Sequence, residues 1–196
     1  LTPKGDDRRH ALLDVAERIL IDQGNARLSM RAVAAAAGVQ LGHLQYYFPT
    51  RADLIHAVLT RALQRSLERL ARVTHAPADA PLEGDPTKLV MALLTEHADQ
   101  RLTRLFTEIW ALAARDDAIA AVTRAFYRDY IDHVASIIHR TVPGQSEHLY
   151  RARAETLVML IEGAALFRAG ITGVRSEATD THLAKTALHL LGADPR

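Results

Sequence analysis

Between Ser29 and Phe48 the chain sets two short runs of helical spacing on either side of one glycine, and few folds accept such a segment. Met30, Val33, Ala34 and Ala37 fall at i, i+3, i+4 and i+7, one face of a short helix, with Ser29 just before it as an N-cap. Gly38 follows the last apolar position, where a sharply turning helix needs a positive φ or an absent Cβ. Val39, Leu44 and Phe48 supply the buried face of the second helix, and the small Ala34 allows the two to cross closely. The face left over carries Gln40, His43, Gln45, Tyr46 and Tyr47, followed by Pro49-Thr50-Arg51. A bundle has little reason to expose that set, whereas a helix laid in a DNA groove does. The segment reads as a helix-turn-helix.

The remainder is helical from end to end, with no run of alternating β-branched residues. Leu12, Val15, Ala16, Ile19 and Leu20 predict a first helix over 6–23, stopped by Gly24. Leu54, Ala57, Val58, Leu63, Leu67 and Leu70 run along a long helix over 50–74, which Thr50 can cap. The polar stretch HAPADAPLEGDP (75–86), with three prolines and a glycine, is a loop. Further helices are expected over 87–99, 102–115, 117–141, 146–169 and 178–191.

Composition excludes more than it identifies. A hydrophobic share of 48% against 24% charged suits a packed core. The absence of cysteine rules out disulfides and thiolate metal sites and agrees with a cytoplasmic setting. There is no signal-peptide pattern and no apolar run long enough to span a bilayer. Because the chain starts at Leu1, a few native residues are expected before it. Residues 1–51 hold seven Lys/Arg against five acids, within a net charge of +1 for all 196 residues. That is a small footprint for a lone DNA binder, since affinity grows with the phosphates neutralised, and dimerisation doubles it.

Residues 11–59 resemble the N-terminal domain of the TetR family of bacterial transcriptional regulators. The pattern is A-x-x-A-G-V followed by G-x-L-x-x-Y-F-x-[ST]-[KR]-x-x-L, met here by Ala34, Ala37, Gly38, Val39, Gly42, Leu44, Tyr47, Phe48, Thr50, Arg51 and Leu54. The resemblance implies an all-α chain: a helix-turn-helix DNA-binding domain over 1–50, joined by a long helix to a helical ligand-sensing and dimerisation domain over 51–196. It implies a ligand-responsive regulator, a repressor that binds a palindromic DNA operator as a homodimer and is released by a small molecule. The recognition helix would be Gln40, Leu41, Gly42, His43, Gln45, Tyr46 and Tyr47. Ser29, Arg31, Tyr47, Thr50 and Arg51 would hold phosphates. Gln40 stands where the family commonly has Ser or Thr, and Gln45 where a tyrosine is usual, so helix initiation and base preference depart from the pattern.

The same resemblance assigns the C-terminal domain an effector pocket and, to its last two helices, the dimer contact. Aromatic side chains near isolated polar groups make Met91, Phe106, Glu108, Trp110, Phe126, Tyr127, Tyr130, His133, Met159 and Glu162 the candidate pocket residues. Glu108 and Glu162 sit in apolar runs, so each needs a partner: a cationic ligand, or an arginine such as Arg104 or Arg168. Leu157, Ile161, Ala164, Ala165, Leu183, Ala187, Leu190 and Leu191 are the candidate dimer residues. An enzyme is not expected: G-x-S-x-G, P-loop, G-x-G-x-x-G and H-E-x-x-H are all missing. Asp129 and His133 form an i, i+4 pair with no evident third ligand, so neither metal nor cofactor is expected. The alternative is a helical interaction protein or small-molecule binder with no DNA role.

Overall fold

The helices start where short polar side chains can take up the orphan N–H groups of a first turn. The structure, a computed structural model, describes residues 3–74, 90, 94 and 99–192. Its α-helices are α1 (Pro3–Gln23), α2 (Met30–Ala36), α3 (Leu41–Tyr47), α4 (Arg51–Thr74), α5 (Gln100–Ala113), α6 (Asp117–Thr141), α7 (Glu147–Arg168) and α8 (Glu177–Leu191), with a 3-10 turn at Asn25–Arg27. Ser29 Oγ accepts from the Ala32 N–H at 3.1 Å. Asp116 Oδ1 accepts from Ala118 and Ile119 at 2.9 and 3.1 Å. Ser146 and Ser176 cap α7 and α8 in the same way. Such caps contribute about 1 kcal/mol each and are local in sequence, so the helix ends fall close to those expected. Most of the helix expected over 87–99, and Met91 with it, lies outside the described residues. Among the described residues there is no strand, and no helix is long and apolar enough to cross a membrane.

The chain divides into two compact units, residues 1–65 with 104–123, and residues 66–103 with 124–196. The boundary expected after residue 50 therefore falls inside the first unit. The reason is visible in the contacts between α1 and α4. Arg61 of α4 reaches Asp14 at 2.8 Å and Glu17 at 2.9 Å on α1, and Arg65 also pairs with Glu17. Beneath these ion pairs Leu12, Leu13, Ala16 and Leu20 of α1, and Leu54, Val58, Leu59 and Ala62 of α4, are buried. The first half of α4 is core to this unit, not a spacer.

In the second unit α6, α7 and α8 bury Val134, Ile137, Ile138, Tyr150, Ala154, Leu157, Ile161, Ala187 and Leu191. Tyr150 is its polar anchor. The ring stacks on His139 with centroids 4.7 Å apart. The hydroxyl donates to Val142 O at 2.9 Å and accepts from the Gln145 N–H at 2.8 Å, tying down the α6–α7 turn. Tyr150→Phe leaves both backbone groups without that partner and is expected to cost about 1–3 kcal/mol in denaturant unfolding.

Candidate nucleic-acid interface

Two short helices can present a reading surface only if the turn between them is rigid. Ala37 ends α2, and Gly38 follows with φ +64°, a conformation that costs an L-residue about 1–2 kcal/mol. The Val39 N–H then returns to Ala34 O at 3.0 Å, closing the turn. Val33, Ala34, Leu44 and Phe48 are all buried, and the Arg9 guanidinium lies 5.2 Å from the centre of the Phe48 ring. Of the apolar faces expected for the two helices, these four residues are buried, while Met30, Ala37 and Val39 are half-buried.

The opposite face of α3 is open. Gln40, Gly42, His43, Gln45 and Tyr46 are exposed, Leu41 and Tyr47 are half-buried, and Tyr46 has 76% of its surface free. The Tyr46 and Tyr47 rings meet edge to face with centroids 5.1 Å apart, and His43 lies 5.6 Å from Tyr47. These contacts hold three hydrogen-bonding side chains as one cluster. A Cβ on Gly42 would meet nothing within 4 Å, so the backbone there is open to close approach. Gln40 initiates α3 without any side-chain cap bond, the weak start its residue type implied. Ser29 and Arg31, at the start of α2, are exposed.

The start of α4 carries the Thr50 cap expected of it. Thr50 and Asp53 form a reciprocal cap: the Thr50 hydroxyl donates to Asp53 Oδ2 at 2.8 Å and accepts from the Asp53 N–H at 3.1 Å. Arg51, expected on a phosphate, is an exposed residue that also bonds within the protein. Nε donates to Leu28 O at 2.6 Å, and Nη2 to Asn25 O and Oδ1 at 2.9 and 2.5 Å. Two of these three acceptors are backbone carbonyls, which carry no side-chain signature in the sequence.

The candidate pocket residues are divided between the two units. Phe106, Glu108 and Trp110 belong to the first unit and Phe126, Tyr127, Tyr130, His133, Met159 and Glu162 to the second. Phe106 is buried with Trp110 beside it, ring centroids 6.1 Å apart. Glu108 accepts from the Asn25 backbone N–H at 3.1 Å. Phe126 and Tyr130 are core residues whose rings lie 5.8 Å apart. Met159 is 67% exposed on the outer face of α7. Glu162 accepts from the Tyr127 hydroxyl at 3.2 Å, and burial pushes its carboxyl up to about 7. Burial and the nearby Arg140 charge hold His133 below its usual range. Arg168, the other suggested partner, pairs with Asp180 at 3.5 Å.

The expected dimer residues need correction too. Leu157, Ile161, Ala165, Ala187 and Leu191 are at most 4% exposed within the single chain, so no second copy can reach them. Ala164, Leu183 and Leu190 are half-buried. The open apolar surface is the neighbouring face, where Met159, Gly163, Phe167, Val174 and Leu183 line a groove of about 500 Å³ between α7 and the start of α8. Because α7 is apolar nearly all round, its periodicity does not distinguish the inward face from the outward one.

Comparison with known proteins agrees with this architecture. Residues 12–58 match the family described as "Bacterial regulatory proteins, tetR family", and residues 86–192 match "BetI-type transcriptional repressor, C-terminal". The chain is 32% identical to an HTH-type transcriptional regulator of the dhlA 5' region of Xanthobacter autotrophicus, over 82% of this chain and 79% of that protein. It is 25% identical to the HTH-type transcriptional regulator EthR of Mycobacterium tuberculosis, over 96% of this chain and 87% of that one. A TetR transcription regulator from Haloarcula marismortui has the same fold, with TM-score 0.76 at 21% identity, covering 97% of this chain and all of that one. With a helix-turn-helix built as described and both segments matched, the chain belongs to the TetR family of bacterial transcriptional regulators.

Proposed function

We propose that this ligand-responsive DNA-binding regulator is a repressor that holds a palindromic operator as a homodimer and releases it when a small molecule binds the C-terminal domain. One observation carries the DNA half: α3 buries Leu44 and Phe48 while leaving Gln40, Gly42, His43, Gln45 and Tyr46 open to a groove. Gln45 can pair in bidentate fashion with adenine, and Tyr47, Ser29 and Arg31 would offer hydroxyls and a guanidinium to phosphates. The groove on α7 and α8, with Phe167 and Met159 exposed beside it, supports the reading that these helices meet a second copy. Among the acids, Glu162 is the one we place at the effector. Among the described residues it has a phenol for a partner and no ion pair, so a ligand that donates hydrogen bonds or carries positive charge would gain most there.

Release follows from population shift. Paired recognition helices read half-sites roughly 34–36 Å apart, so an effector that favours another spacing weakens binding, and one that binds both forms equally does nothing. Selection of bound sites from random DNA is expected to enrich an inverted repeat. Gln45→Ala is expected to relax preference at one base step per half-site, at a cost of ~1–3 kcal/mol. No enrichment would remove the DNA-binding reading. An operator affinity unchanged across a broad ligand screen would remove the sensing half.

A further inference from the structure

Asn25 is held from two sides by residues far from it in sequence. Its N–H opens the 3-10 turn after Gly24 and would be an orphan donor at a helix start. Glu108 Oε2, from α5 and 83 residues away, accepts it at 3.1 Å. The other carboxylate oxygen lies flat against the preceding residue: a Cβ on Gly24 would sit 3.2 Å from Glu108 Oε1, and Gly24 itself has φ +79°. On the far side, Asn25 O and Oδ1 both accept from Arg51 Nη2, while Arg51 Nε holds Leu28 O. Glu108 and Arg51 are of opposite charge, yet both bond the turn and no ion pair joins them.

The recognition helix leads into this arrangement. α3 has seven residues, no side-chain cap at its start, and only Leu44 within it and Phe48 after it fully buried. Its C-terminal end passes through Pro49 and Thr50 directly into Arg51. What fixes Arg51 therefore fixes the end of α3, and with it the aim of Gln45, Tyr46 and Tyr47. We infer that Glu108 and Arg51 are positioning residues for operator recognition, acting on α3 through Asn25, and that Arg51 contributes to affinity by this route and not by holding a phosphate. The inference rests on reading α3 as the DNA-contacting helix.

The test uses the full chain and the DNA site enriched by selection, with affinity and its salt dependence measured well below each variant's melting temperature. Glu108→Ala and Arg51→Ala are each expected to weaken operator binding roughly tenfold, and the double variant no more than the weaker single, because both break one connected network. Glu108→Gln keeps an acceptor oxygen and is expected to stay within about twofold of the parent. The salt slope is expected to be unchanged in every variant. A slope smaller by about 1 in Arg51→Ala would mark a lost phosphate contact and overturn the inference. Additive losses, near a hundredfold in the double variant, would overturn it too. If Glu108→Ala does not fold, the slope of Arg51→Ala decides alone. A parent that binds no DNA would overturn the underlying reading of α3, an outcome distinct from either of these.

Discussion

Phe48→Ala is expected to destabilise the DNA-reading unit by about 3–5 kcal/mol, the largest effect of any single change considered for this chain. Phe48 is 2% exposed and terminates α3, so it packs in the core at the point where the recognition helix turns toward α4. Truncation leaves a cavity that the small helices around it cannot close without moving, and it strips the Arg9 guanidinium of the ring beneath it. A domain's whole stability is on the order of 5–15 kcal/mol, so the loss reaches a large part of it. Denaturant unfolding followed by circular dichroism checks the magnitude, and operator binding is expected to fail at temperatures where the parent still binds. A loss under about 1 kcal/mol would mean that α3 is held by its neighbours and not by this ring.

Glu162→Gln is expected to stabilise the protein, and only at high pH. The folded carboxyl titrates near 7 against an ordinary 4.5, so between those values the folded chain holds a proton that the unfolded chain has lost. Stability therefore falls as pH rises through roughly 4.5 to 7, and the penalty, about 3 kcal/mol, is complete above 7. Glutamine keeps an oxygen for the Tyr127 hydroxyl and carries no charge to desolvate. The variant is expected to exceed the parent by roughly 2–3 kcal/mol at pH 8 and to match it at pH 4. Unfolding curves at the two pH values decide the matter, since an equal gain at both would trace to packing and not to ionisation. An acid that weakens its own fold at neutral pH is also one whose cost a bound ligand can offset, which is why Glu162 stands first among the proposed effector residues.

Local chemistry was legible in the sequence, and distant chemistry was not. Ser29, Ser146 and Gly38 act within a few residues of themselves, so the helix ends and the turn could be read directly. Leu44 and Phe48 follow from helical spacing. Glu108 could not be read the same way: an acid in an apolar run signals that a partner exists, but a backbone N–H 83 residues away has no letter of its own. The bonds of Arg51 to Leu28 O and Asn25 O were hidden in the same way, since backbone carbonyls carry no letter either. On α7 the difficulty was different. Leu157 and Met159 are equally apolar in the sequence, yet one is sealed in the core and the other faces outward.

Trp110 lies two residues beyond Glu108 on α5, and it is the chain's single tryptophan. Excitation at the red edge of protein absorbance therefore reports on one place, the helix that grips the Asn25 turn. The molecule carries its own optical gauge of that grip, readable on unlabelled protein while DNA or a small molecule is titrated in.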